Sequence, residues 1–292
     1  MSKSHVVAIT GATGEIGRRV ARNLAERGIA QRLIVRDQER APHLPNSEIA
    51  VASSYSDKTS MRRALTGTHT LFLVSGRESA DRVQHHVDAI DTAVAAGVQR
   101  IVYLSFIGAA SNATFTLARQ HYLTEQHIRS SGVRFTFLRP ALYLDSIPRY
   151  VGEDGALRGP ADGGSGAFIA RDDIAGVASV VLPSEDHDGE TYNLTGREEL
   201  TLTQCAEQLS RVVGRTIIFQ DETLEEAWRS RSGYGAPHFE KEGWITSYLA
   251  IAAGEMGPAS DIVYRLTGQD ALTLEEYLRL YPDSYRRLLP QG

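Results

Sequence analysis

Three glycines, Gly11, Gly14 and Gly17, follow directly on the apolar run Val6-Val7-Ala8-Ile9-Thr10. A helical pattern begins at once behind them. Strand, tight turn and helix in that order form a cradle for a dinucleotide pyrophosphate. Gly11 can take the backbone angles of the turn, Gly14 lets the main chain approach the phosphates, and Gly17 lets the helix lie close to the strand. The unsatisfied N–H groups at the helix start, over Gly11, Ala12, Thr13, Gly14, Glu15 and Ile16, then face the anion, and the helix dipole favours it. The spacing is G-x-x-G-x-x-G, so the expectation rests on the flanking strand and helix as well as on the glycines. A purely structural turn is the alternative. Glu15 is out of place beside a phosphate and is expected to face solvent, where it complements the helix dipole.

A second chemical signal follows the short apolar run Leu33-Ile34-Val35. In dinucleotide folds, the residue after the second strand meets the adenosine ribose. A carboxylate there bonds the free 2′-hydroxyl of NAD, and an arginine pairs with the 2′-phosphate of NADP. Arg36 comes first here, Asp37 second, with Arg40 beyond, which favours NADP(H) over a solvated charged loop. Ser75 and Gly76 end another buried run, Thr70 to Val74, at the sheet edge where ligands sit.

The elements that position these residues are legible from periodicity. Ile16, Val20 and Leu24 give a first helix stopped by Gly28. Glu48 to Ala52 reads as a third strand, and Ser56 or Asp57 caps a short helix through Met61 and Leu65. A long helix carries Val83, Val87, Ile90 and Val94 on one stripe. His85 and His86 lie within it and point about 100° apart, so a solvated or capping role is expected rather than a metal site. Arg100 to Phe106 is a fifth strand ending near Ser105. A helix through Leu117 to Arg129 leads to a sixth strand, Val133 to Leu138, closed by Arg139-Pro140. This rhythm predicts an α/β fold, a Rossmann-type doubly wound parallel sheet. After Pro140 the pattern loosens. Residues 152–166 read as loop with one short extended piece, and Thr201-x-x-Gln204 and Thr273-x-x-Glu276 read as capping boxes. The division expected is a dinucleotide-binding domain over 1–150 and a smaller α/β substrate lobe over 151–292, with the chain exchanging between them. That lobe is expected to close over the ligand edge and to supply pocket residues.

The whole composition narrows the class. A chain of 292 residues, 42% hydrophobic, is long enough for a sizeable core, and a formal net charge of −5 disfavours direct nucleic-acid binding. The single cysteine, Cys205, excludes an internal disulfide framework and a cysteine zinc cluster, fits a reducing compartment, and reads as packing. No apolar run approaches a membrane span and no signal peptide is recognisable, so a cytoplasmic protein without a metal is expected.

With these residues in view, the chain resembles the NmrA-like branch of the atypical short-chain dehydrogenase/reductase superfamily. The resemblance is carried by 11–17, by Val35-Arg36-Asp37, by Ala95-Ala96-Gly97-Val98 leading to Ser105, by Ser131-Gly132-Val133 leading to Leu138-Arg139-Pro140, and by Arg171-Asp172-Asp173-Ile174-Ala175. Leu266-Thr267-Gly268 and the following capping box extend it over nearly the whole chain. Within the branch, His121-Tyr122-Leu123-Thr124-Glu125 and Ala141-Leu142-Tyr143 are similar to NADPH-dependent quinone oxidoreductases and triphenylmethane-dye reductases. The resemblance implies a tight NADP(H) site with the phosphates on Gly11 to Ile16, the 2′-phosphate on Arg36, Ser75 and Gly76 along the cofactor, and Pro140 to Tyr143 near the nicotinamide. It also exposes a departure. Where typical members carry Tyr-x-x-x-Lys, this chain has Leu117 and His121, and leucine cannot donate a proton.

Hydride transfer to a quinone-like or conjugated acceptor, which needs little protein acid, is therefore the favoured activity. His121, Tyr143 and Ser105 are the catalytic candidates. Each also has a bland reading: a ribose or backbone contact, a pocket wall, and a satisfied strand-end hydroxyl. The alternative function is an NADP(H)-binding redox sensor that acts through protein partners, and an epimerase or dehydratase ranks below both. The expected partner is a small-molecule acceptor, with a homodimer left open.

Overall fold

Residues 5–289 are described in a computed structural model. The elements run β1 (Val7–Thr10), α1 (Glu15–Glu26), β2 (Gln31–Val35), β3 (Ser47–Val51), α2 (Lys58–Leu65), β4 (Thr70–Val74), α3 (Arg82–Ala95), β5 (Arg100–Leu104), α4 (Thr116–Ser130) and β6 (Arg134–Pro140). They continue with α5 (Ile147–Tyr150), β7 (Ala156–Gly159), β8 (Ser165–Gly166), α6 (Arg171–Val181), β9 (Thr191–Leu194), β10 (Leu200–Thr201), α7 (Leu202–Val213), β11 (Ile218–Asp221), α8 (Leu224–Ser230), α9 (His238–Ala252), α10 (Ile262–Thr267) and α11 (Leu274–Leu280). Two short extended pieces, β7 and β8, stand where the sequence suggested one.

Seven strands form one sheet in the order β3-β2-β1-β4-β5-β6-β9. The pairs from β3 through β6 are parallel, as the alternation of strands and helices predicts. Every position of β1 and β5 is buried. Such continuous apolar runs belong to strands covered on both faces. The strand order reverses beside β1, whose neighbours are β2 and β4. That switch point leaves a crevice outside the carboxyl ends of β1 and β4, where parallel sheets bind ligands.

The chain separates into two compact units. The first takes the described residues up to Ser111, Gln120–Arg139 and Ile174–Asn193; the second takes Asn112–Arg119, Pro140–Asp173 and the chain from Leu194. A single break after residue 150 does not describe this arrangement. Most of α6 and β9 return to the sheet unit, where the Phe137 N–H donates to Glu190 O at 3.0 Å, so the returning chain covers an edge that β6 would otherwise expose. Arg100 fastens the return. It is fully buried, donates to the carbonyls of Val181 (3.0 Å) and Leu182 (3.2 Å), and pairs with Asp188 at 2.6 Å.

The second unit holds two small sheets, β7 with β11 in parallel and β8 with β10 antiparallel. Both anticipated capping boxes are present, and Thr223 with Glu226 forms a third. The last turn of α7 ends on left-handed Gly214, the usual place for glycine.

One sequence expectation is displaced. The inward stripe of α3 consists of Arg82, His86, Ala89, Ile90, Thr92 and Ala93; of the expected Val83, Val87, Ile90 and Val94 only Ile90 is fully inward, and Val94 is 39% exposed. Apolar periodicity registers only apolar residues. Here Arg82 and His86 occupy inward positions because their partners, His121 for the first and Gly76 and Thr124 for the second, lie beneath the helix.

Candidate nucleotide and acceptor site

The turn after β1 has the tight geometry that the glycine spacing implies. Gly11 has a φ of +62°, a left-handed angle natural to glycine. The Gly14 N–H donates to Gly11 O at 2.8 Å, closing the turn. A Cβ on Gly17 would lie 2.3 Å from Gly11 O and 2.7 Å from Gly11 C, so the helix approaches the turn as closely as main chain allows. Gly14 is the N-cap of α1, and no side chain caps the helix. Its first N–H groups, at exposed positions of the turn, are thus available to an anion. Glu15 does face solvent in part, but Arg18 (2.8 Å) and Arg19 (2.7 Å) hold it. Burial pushes its carboxyl up, and the two arginines outweigh that and leave it below its ordinary value.

At the end of β2, Arg36 is exposed. Asp37 turns back to accept the Glu39 N–H at 3.0 Å and caps the short 3-10 turn Gln38–Arg40. The carboxylate is thereby committed to the backbone, and the charge of Arg36 is close enough to act on Tyr55. Tyr55 itself donates to Val74 O at 2.5 Å, and its hydroxyl lies 2.9 Å from Thr10 Oγ1. Burial, which outweighs the Thr10 hydrogen bond and the charges of Arg82 and Arg36, pushes its phenol up to about 12. The side chain ties the carboxyl ends of β1 and β4 together.

Beneath Gly76 lies a buried polar chain that sequence patterns did not disclose. The Gly76 N–H donates to His86 Nε2 at 2.8 Å, which places the His86 proton on Nδ1, 3.0 Å from Thr124 Oγ1. Tyr103 Oη lies 2.8 Å from His121 Nδ1, and Arg82 Nη2 donates to His121 Nε2. His121, fully enclosed, is therefore a neutral imidazole with its proton on Nδ1. Burial first, then the charge of Arg82, keeps it well below the usual histidine value. The same two causes hold His86 near 3, and burial raises Tyr103 to about 12. Of the expected solvated or capping pair, only His85 behaves so, 3.2 Å from Asp81. His86 is buried.

Ser105, buried at the end of β5, donates to Glu125 Oε1 at 2.6 Å. Glu125 also accepts from Arg139 Nε at 2.8 Å. The hydroxyl proton is thus directed to a carboxylate that an arginine neutralises. Leu117 is 3% exposed and packs against Gly243 of α9, whose added Cβ would lie 3.6 Å away. In the second unit, Pro140 is buried at the end of β6, and the Arg171 guanidinium lies 4.5 Å from the Tyr143 ring centre. Arg171 is itself fixed by Asp145, which accepts its N–H at 3.0 Å.

Arg82, Tyr103 and Tyr55 were not singled out from sequence, and neither the buried place of His86 nor the pairing of Glu125 with Ser105 was foreseen. Only the four-residue spacing of Arg82 and His86 offered a signal, and it reads as one helix face only once that face is known to be inward.

A family model described as NAD(P)H-binding matches residues 11–185. Quinone oxidoreductase 2 of Escherichia coli K12 is 31% identical over 278 residues, covering 93% of this chain and 96% of its own. The structure of the E. coli NADPH-dependent quinone oxidoreductase with NADPH gives a TM-score of 0.86 at 30% identity, over 94% of this chain and 99% of that one. Citrobacter sp. triphenylmethane reductase complexed with NADP(H) gives 0.84 at 30% identity, with the same coverage. NmrA, a negative transcriptional regulator, shares the fold, with a TM-score of 0.76 at 18% identity over 97% of each chain. Together with the uncapped helix start and the exposed arginine beyond β2, these likenesses settle the family: the chain belongs to the NAD(P)H-binding family, and NAD(P)H is the cofactor that its first turn and helix fit.

Proposed function

We propose that this protein is an NADPH-dependent reductase of a quinone-like or otherwise conjugated small-molecule acceptor. The observation that carries the reading is the pairing of a phosphate cradle at Gly11–Ile16 with an exposed Arg36, on a chain similar from end to end to a quinone oxidoreductase. When bound, NADPH supplies the hydride. The main-chain N–H groups of the first turn hold the pyrophosphate, and Arg36 holds the 2′-phosphate as a charge-assisted pair. Ser75 and Gly76 border the cofactor, with Gly76 kept in place by His86.

The candidate side chains support a reaction that asks little of a protein acid. Leu117 has no proton to give. His121 is uncharged, with Nε2 occupied by Arg82 and Nδ1–H facing Tyr103, so we assign it a positioning role. Tyr103 keeps its proton at neutral pH, and the Ser105 hydroxyl donates its hydrogen bond to Glu125. An acceptor whose added charge is delocalised can wait for a proton from water. Tyr143 remains the remaining candidate donor, and a wild-type rate in Tyr143→Phe would remove it.

The test is NADPH oxidation, followed by absorbance, against a panel of simple quinones. Turnover with tight NADPH binding is expected. Binding without turnover of any acceptor would overturn the reductase reading in favour of a redox sensor.

A further inference from the structure

Arg82 opens α3 with only 3% of its surface exposed. Among the described residues no carboxylate pairs with it. Its Nη2 donates to His121 Nε2, and its buried Nε has no hydrogen-bond partner. Glu125, the buried carboxylate of the neighbourhood, is taken by Arg139, Arg129 and Ser105. A buried charge without a counter-charge is destabilising. Beyond burial, which dominates at each group, this charge acts on His121, His86, Tyr103 and Tyr55. His86 accepts the Gly76 N–H and Tyr55 donates to the Val74 carbonyl at the carboxyl end of β4, while Tyr103, bonded to His121, lies near the end of β5. The positive field therefore covers the strand ends that the proposed cofactor site occupies.

Resting on the reductase reading above, we propose that Arg82 is a specificity-determining residue, an uncompensated buried cation that selects neutral acceptors, quinones above all, over cationic ones. The reason lies in the charge that hydride transfer creates. A neutral quinone takes hydride from NADPH, as the C–H bond at C4 of the dihydronicotinamide breaks and a new O–H or C–H bond forms. The products are NADP+ and the hydroquinone monoanion, which then takes a proton from water. A triphenylmethane cation takes the same hydride at its central carbon and becomes neutral. A fixed positive charge stabilises the growing anion of the first reaction. In the second it repels the cationic substrate and gains nothing in the transition state.

The experiment compares kcat/KM for a neutral naphthoquinone and a cationic triphenylmethane dye, in the wild-type protein and in Arg82→Gln and Arg82→Lys. The wild type is expected to favour the quinone. In Arg82→Gln the quinone-to-dye ratio should fall at least tenfold, about 1.4 kcal/mol, while Arg82→Lys stays within about threefold of wild type. Taking a ratio cancels any shared loss of folding or NADPH affinity, which a merely structural role would produce. Equal losses with both acceptors would overturn the proposal, and so would a wild-type enzyme that prefers the dye, a result that needs no variant to fold. If neither acceptor oxidises NADPH, the reductase reading itself fails.

Discussion

Replacing Gly17 with alanine drives a methyl group into main chain. The new Cβ would lie 2.3 Å from Gly11 O and 2.7 Å from Gly11 C, roughly an ångström inside ordinary contact. Neither atom can rotate away, because both belong to the turn that Gly14 N–H closes at 2.8 Å. The helix start and the turn must part by a similar distance. Overpacking of this kind costs about 1–3 kcal/mol, and at about 2 kcal/mol the melting temperature should fall by roughly 4–8 °C. The same displacement spoils the phosphate cradle, so NADPH affinity should drop about tenfold or more. Gly14→Ala is the matched control. Its Cβ would meet only Gly11 O, at 3.2 Å, which a shift of a few tenths of an ångström relieves. It should leave the melting temperature of the cofactor-free protein near wild type while still lowering NADPH affinity, if the main chain at Gly14 approaches the phosphates as proposed. Thermal melts with and without NADPH, together with a fluorescence titration, separate the two variants. Gly17→Ala with wild-type melting and wild-type affinity would refute the cradle as drawn.

Other expectations follow from the same geometry. Arg36→Ala should weaken NADPH binding far more than NADH binding, since only the former carries the 2′-phosphate; titration showing equal loss for both would remove Arg36 from that role. Asp188→Ala leaves Arg100 buried without its ion partner and should cost about 3 kcal/mol in denaturant unfolding, whereas adding Arg100→Met should recover part of the loss; a double variant no more stable than Asp188→Ala would contradict this. Burial, helped by the nearby Asp172 and Asp145 carboxylates and opposed by the Leu272 N–H, raises Asp173 from 3.8 to about 6. The folded state then holds the proton more tightly than the unfolded chain, so this contribution is complete below about pH 4 and is lost as pH rises through 6. Asp173→Asn should therefore gain about 2 kcal/mol on wild type between pH 4 and pH 8, and a pH-independent difference in melting would show that Asp173 does not titrate in that way.

Much of the fold follows from local rules. The apolar runs of β1, β4 and β5, the helix after Gly17, the stops at Gly28 and Gly214 and the boxes at Thr201 and Thr273 are all short-range features, in which each residue's neighbours along the chain determine what it does. The turn from Gly11 to Gly17 is legible for the same reason, because its main-chain geometry needs glycine at Gly11 and Gly17. Arg36 is legible because its place after β2 is fixed by a strand only a few residues long. Tertiary structure alone decides the rest. The returning strand β9 and its Arg100–Asp188 fastening depend on pairing across more than fifty residues of chain. The polar chain from Arg82 through His121 and Tyr103, with His86 and Thr124 beside it, draws on α3, α4 and β5. Each member alone looks like a surface residue. Their burial is tolerable only because each finds most of its hydrogen bonds in another element, and that pairing is written in no stretch of sequence shorter than the fold itself.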